Sequence, residues 1–152
     1  MSKYNKYLIA LLALPLLLSA AYADIIVDNG DPGTTFTNKW CLSALAGYNG
    51  STSLYNCGTP ATYRWTPAIV TTGEYDVYVW WPSNPNRSAS VPTKVVYGAN
   101  TAVKYFNHQQ PGNQWVLHGR YPVGPGENFY VEVVMSSGIA SADAVKFVLV
   151  TP

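Results

Sequence analysis

Residues 73–82 read GEYDVYVWWP, and the run alternates with a period of two. Tyr75, Val77, Val79 and Trp81 fall on one side of an extended chain, and Glu74, Asp76, Tyr78 and Trp80 fall on the other. Successive strand side chains point to opposite sheet faces, so the first set is assigned to a core and the second to the outside. The same pattern recurs outward from this stretch. In NFYVEVVM (128–135), Phe129, Val131 and Val133 are expected to face in, and Tyr130 and Glu132 out. In 144–150 both alternating sets are apolar apart from Lys146, which suits a central strand. Further runs rich in Val, Tyr, Trp and Thr lie at Ile25–Val27, Thr62–Trp65, Thr93–Tyr97 and Trp115–Tyr121, with weaker ones at Lys39–Leu42 and Ala102–Phe106. Turn signals separate them: Asp31-Pro32-Gly33, Pro82 to Asn86, Pro111-Gly112-Asn113 and Gly124-Pro125-Gly126. The best helical segment, Ser43 to Tyr48, is cut off by Gly47 and Gly50. Eight or nine short strands at this spacing predict an all-β antiparallel sandwich or barrel.

The chain opens with Lys3 and Lys6, an apolar run from Leu8 to Leu18, and Ala21-Tyr22-Ala23. This order of charge, apolar core and small residues predicts a secretory signal peptide over 1–23, cut after Ala23. The apolar run is shorter than the ~20 residues a membrane span needs. Residues 24–152 are then read as one secreted domain, extracellular or periplasmic, with no membrane association after cleavage. Without Lys3 and Lys6, seven of the nine Lys/Arg remain against eight Asp/Glu, a net charge of −1. No basic stripe is left for phosphates, which argues against nucleic acid.

Cys41 and Cys57 form an even pair in an exported chain, and a disulfide is expected. It closes a loop of ~15 residues, worth about 3 kcal/mol on a chain-entropy basis. Two sulfurs with no nearby His make a poor metal site, and no metal or other cofactor is expected. The acidic start (Asp24, Asp28, Asn29, Asp31) is read as an Asx-bonded turn rather than a calcium site.

No sequence motif marks a nucleophile, a metal protease or a paired-carboxylate hydrolase, so a non-catalytic role is expected. The positive signal is aromatic: the chain holds twelve Tyr and five Trp. Flat aromatic side chains stack on the C–H faces of sugars, and the same character favours protein interfaces. The candidate ligand residues are Tyr78 and Trp80 on the 73–82 strand, Asn86 and Arg87 in the loop after it, and the cluster His108, Gln109, Gln110 with Trp115 beyond it. The competing reading makes the aromatics core residues and Arg87 an ion-pair partner of Asp143.

Four segments taken together resemble the golvesin C-terminal-like domain, also described as a xanthan-lyase carbohydrate-binding-like domain. They are IIVDNGDPGTTFT (25–37), YRWTPAIVTTGEYDVYVWWPSNPNR (63–87), NHQQPGNQWVLHGRYPV (107–123) and SADAVKFV (141–148). Trp65, Asn86, Arg87, Gln110, Trp115 and Asp143 match its pattern. The turn Asn107-His108-Gln109-Gln110 and the His118-Gly119 step depart from it, and the cysteine pair is a local addition. The resemblance implies a jelly-roll, galactose-binding-like β-sandwich serving as an accessory module that binds carbohydrate. The expected function is therefore non-catalytic binding of a cell-wall or extracellular polysaccharide. The alternative is a self-assembling structural subunit of an extracellular fibre, matrix or surface layer.

Overall fold

The computed structural model describes residues 22–110 and 112–150. The expected signal peptide lies almost wholly outside these residues. Among the described residues there are twelve strands and one 3-10 turn (Tyr48–Gly50). Nine of the strands form two antiparallel sheets packed face to face, a jelly-roll sandwich, and the other three form a small sheet beside it.

One sheet has four strands: β1 (Ile25–Val27), β12 (Ala144–Val150), β6 (Gly73–Trp80) and β9 (Val116–Val123), in that order across the sheet. The other has five: β2 (Thr34–Thr37), β5 (Ala61–Trp65), β10 (Phe129–Met135), β7 (Val91–Tyr97) and β8 (Asn100–Phe106). As the sequence predicts, β12 is interior to its sheet, pairing with β1 on one side and β6 on the other. The inward face of β6 is buried as expected, with Tyr75, Val77, Val79 and Trp81 packing against Tyr63, Val95, Phe129, Val131 and Phe147. Full burial of such side chains stabilises by about 1.5–3 kcal/mol each, before the entropy of ordering is subtracted.

Three short strands escape the sequence pattern: β2, β4 (Leu54–Asn56) and β11 (Ser141–Ala142). The last two join β3 (Trp40–Leu42) in a small third sheet, ordered β11-β4-β3. This sheet is the base of a flap spanning residues 40–58, which docks on one end of the sandwich. Asn56, nearly fully buried, fastens it. Its amide donates to Gly138 O at 2.9 Å, and its Oδ1 accepts from Ala140 N at 2.6 Å. The Cys41–Cys57 disulfide is formed, with a Cα–Cα distance of 5.9 Å, and clips the two sides of the flap together. The acidic start folds as a turn bonded through Asp31, as expected: Asp28 N donates to Asp31 Oδ2, and Thr34 N to Asp31 O.

Glu132 corrects the alternation reading. It points away from the core as predicted, yet it is only 5% exposed. Its cross-strand neighbours Arg64 and Lys94 each reach its carboxylate at 2.7 Å and cover it. No helix forms over Ser43–Tyr48, as its glycines imply, and a single 3-10 turn lies at Tyr48–Gly50, where Asn49 adopts the left-handed region (φ 53°).

Candidate functional site

The outer face of the four-stranded sheet carries an aromatic cluster. β6 supplies Tyr78 and Trp80 on its outward side, and the segment entering β9 supplies Trp115. Tyr48 arrives from the flap, on the 3-10 turn. The ring centroids of Tyr48 and Trp80 are 5.4 Å apart, those of Tyr48 and Trp115 4.9 Å, and those of Trp80 and Trp115 5.4 Å. These spacings and tilts are those of favourable edge and tilted contacts. Each ring is part-buried. A recess of about 350 Å³ opens beside Trp80, walled by the flap and by Pro82, Ser83 and Asn113. The register sets Lys146 of β12 beside Tyr78. Its ammonium lies 4.9 Å from the Tyr78 centroid and 5.0 Å from that of Trp115. Leu117, 48% exposed, borders the cluster from β9.

A buried carboxylate holds Tyr48 in place. Tyr48 N donates to Asp143 Oδ2 at 2.9 Å, and Asn29 Nδ2 donates to Asp143 Oδ1 at 3.2 Å. Gly47 permits this approach, since a Cβ there would lie 2.7 Å from Asp143 Oδ1. Burial, reinforced by the neighbouring Asp28 charge, pushes the Asp143 carboxyl up to about 8. The Arg87–Asp143 ion pair of the competing reading is not formed, because the Asp143 oxygens accept from Tyr48 N and Asn29 Nδ2.

Arg87 is instead inside the end of the sandwich beneath the flap, 5% exposed. Its Nε donates to Ser141 Oγ at 2.9 Å and its NH2 to Ser43 Oγ at 3.3 Å, while NH1 donates to Asn86 Oδ1. The guanidinium also lies 5.2 Å from the Tyr55 ring centroid. His108 is equally buried, stacked on Trp81 with centroids 4.8 Å apart and planes 5° apart. Its Nδ1 accepts from Ser141 N at 3.1 Å, so the neutral ring carries its proton on Nε2. Burial first, and the Arg87 charge second, push His108 down to about 3. Gln109 Nε2 donates to Arg87 O at 2.9 Å. Gln110 is exposed and its backbone amide closes a turn on Asn107 O. The eight candidates therefore separate. Tyr78, Trp80 and Trp115 meet on one face, while Asn86, Arg87, His108 and Gln109 brace the loops at the end of the sandwich. Tyr48 and Lys146 join the face without having been singled out in the sequence. Tyr48 sits in a glycine-rich stretch that reads as plain turn, and Lys146 reads as one polar break in an apolar strand.

The second histidine, His118, is fully buried between Tyr121 Oη at 2.6 Å and Thr93 O at 2.9 Å. Among the described residues no three His, Cys, Asp or Glu side chains converge as a metal site would require.

The jelly-roll sandwich is a fold that this chain shares with carbohydrate binding modules. It overlays the family 35 carbohydrate binding module of Clostridium thermocellum with a TM-score of 0.62 at 17% identity, over 85% of this chain and 100% of that one. The GH26-CBM35 β-(1,4)-mannanase of Podospora anserina matches with a TM-score of 0.57 at 18% identity, over 85% of this chain and 28% of that one. The family is more specific: residues 25–149 match the Golvesin C-terminal domain, and the chain belongs to that family. Consistent with this, it is 31% identical to the xanthan lyase of Bacillus sp. (strain GL1) over 136 residues, 83% of this chain and 15% of the lyase. The structure of a Paenibacillus xanthan lyase matches with a TM-score of 0.78 at 30% identity, over 84% of this chain and 13% of that one. The chain thus spans about a seventh of the curated lyase it matches.

Proposed function

We propose that this protein is a secreted, non-catalytic module that binds a cell-wall or extracellular polysaccharide through the outer face of its four-stranded sheet. The observation that carries the reading is the convergence of Tyr48, Tyr78, Trp80 and Trp115 at one surface, drawn from three separate chain segments. Part-buried rings of this kind offer flat apolar area at low entropic cost, which suits the C–H faces of sugar rings. The kinship with a small portion of a xanthan lyase, and the fold shared with carbohydrate binding modules, support the same reading. The non-catalytic role is supported by the condition of the titratable groups. Both histidines are buried, Glu132 is held by two cations, and Asp76 is held by Arg120 at 2.8 Å. The disulfide supports export to an oxidising compartment.

The fibre-subunit alternative requires open sheet edges. Edge strand β8 exposes Val103 and Tyr105, but it also carries Lys104, a charge of the kind that guards edges against pairing with further copies. The test is retention of the purified protein on insoluble polysaccharides and cell walls, alongside size-exclusion chromatography. Retention of a monomer, lost in Trp80→Ala, is the expected result. Large assemblies without retention would favour the fibre subunit.

A further inference from the structure

We infer that the aromatic face takes an acidic glycan, and that Lys146 binds a carboxylate carried on the sugar. This rests on the proposed glycan-binding role of the same face and names its ligand class. The argument is one of uncompensated charge. Arg64 and Lys94 both reach Glu132 at 2.7 Å, on the opposite side of the sandwich. Arg120 shares the outer face with Lys146, but it grips Asp76 with two hydrogen bonds of 2.8 and 2.9 Å. Among the described residues Lys146 has no such partner. The carboxylate paired with it among the described residues is Asp24 at 3.8 Å, beyond hydrogen-bond range, on a half-exposed side chain just before the first strand. Such a loose surface pair contributes little and is easily exchanged for a ligand anion.

The position of the ammonium matters as much as its charge. Its cross-strand neighbours are Tyr78 on β6 and Ile26 on β1, and it lies about equally far from the Tyr78 and Trp115 rings. The two rings hold the cation by their negative faces and restrict its side chain before any ligand arrives. A sugar stacked against the cluster therefore meets a fixed positive charge at its polar rim. A carboxylate on that rim gains a charge-assisted hydrogen bond from Nζ, whereas a neutral hydroxyl gains a weaker one. The partly desolvated surroundings, with 19% of the Lys146 side chain exposed, strengthen this difference.

The test is affinity electrophoresis of the purified protein through gels holding polygalacturonate, polyglucuronate or alginate, each beside its carboxyl-reduced counterpart, with neutral mannan and cellulose derivatives as further controls. At least one acidic polymer should retard the protein about tenfold more strongly than its reduced form, and added salt should weaken the effect. Lys146→Gln should remove this preference while still folding, as a cooperative melt shows, and Lys146→Arg should keep most of it. Equal retardation by acidic and reduced polymers, or an acidic preference that survives Lys146→Gln, would overturn the inference and leave glycan binding standing. Retardation by neutral polymers alone would do the same. No retardation by any polymer would remove both.

Discussion

The two outer faces of this sandwich use the same ingredients to opposite effect. On the five-stranded sheet, Tyr130 lies under Arg64, whose guanidinium is 3.8 Å from the ring centroid, and near Lys94 at 6.0 Å. Both cations also close on Glu132. Aromatic, cation and anion satisfy one another, and nothing is left over for a partner. On the four-stranded sheet, Tyr78 also meets a lysine, but the nearest carboxylate stands off and three more aromatic rings gather beside it. A tyrosine next to a lysine on an outward strand is therefore uninformative by itself. The buried acid between the cations is what shuts one face, and its lack leaves the other open.

Four measurements break or sharpen this contrast. Trp80→Ala with Trp115→Ala should lower polysaccharide affinity roughly hundredfold, because two large contact rings are lost at the centre of the open face. Retention on an affinity gel reads this, and unchanged retention would refute the assignment of the face.

The second measurement concerns pH. Asp143 holds the turn that brings Tyr48 to the open face, and its folded carboxyl sits at about 8 against an ordinary 3.8. The folded state keeps a proton there that the unfolded chain has released, so this contribution to stability is full below pH 4 and is lost as pH rises to about 8. His108 acts in the opposite sense, being held at about 3 against 6.5. Its contribution is full above pH 6.5 and is lost as pH falls toward 3, and the lowered His118 adds to that limb. Thermal melts should therefore peak near neutrality. Asp143→Asn should flatten the alkaline limb by about 2 kcal/mol, since it removes the buried ionisation. An alkaline limb as steep as wild type would refute the role given to Asp143.

Third, Glu132→Gln should open the closed face. Freed from their shared acid, Arg64 and Lys94 should give the protein new, salt-sensitive retention on polyanions, at a stability cost of about 1 kcal/mol. Chromatography on heparin resin measures the gain, and no change would mean that the acid does not shut the face. Smallest of all, Tyr130→Ala should alter polysaccharide affinity by less than about twofold, within the range of a residue outside the contact. A larger loss would move binding to the five-stranded sheet.

Much of the fold was legible because β6, β10 and β12 are long enough for alternation to speak. The pairing of Cys41 with Cys57 was legible from count and context. The short strands β4 and β11 were not, since they form only because the flap docks on Ser141 and Ala142, more than eighty residues away in sequence. That same docking explains the divided fate of the candidate residues. Asn86, Arg87, His108 and Gln109 are polar and sit in loops, which reads as exposure. The flap covers Arg87, and the stacked Trp81 takes in His108. Glu132 misled in the same way: its outward direction followed from the period of two, but its burial came from the cations on both neighbouring strands. Local pattern gives the direction of a side chain, and long-range packing gives its exposure.

The adjacent pair Trp80-Trp81 has an optical consequence. One indole belongs to the open face and the other is packed in the core against a ring that stays neutral down to about pH 3. Excited together, two neighbours in the chain report on different events. Emission from Trp80 will respond to whatever settles on the sheet, and emission from Trp81 will hold steady until the sandwich itself opens. Difference spectra of Trp80→Phe and Trp81→Phe against the wild type, which cancel the emission of Trp40, Trp65 and Trp115, separate occupancy from unfolding.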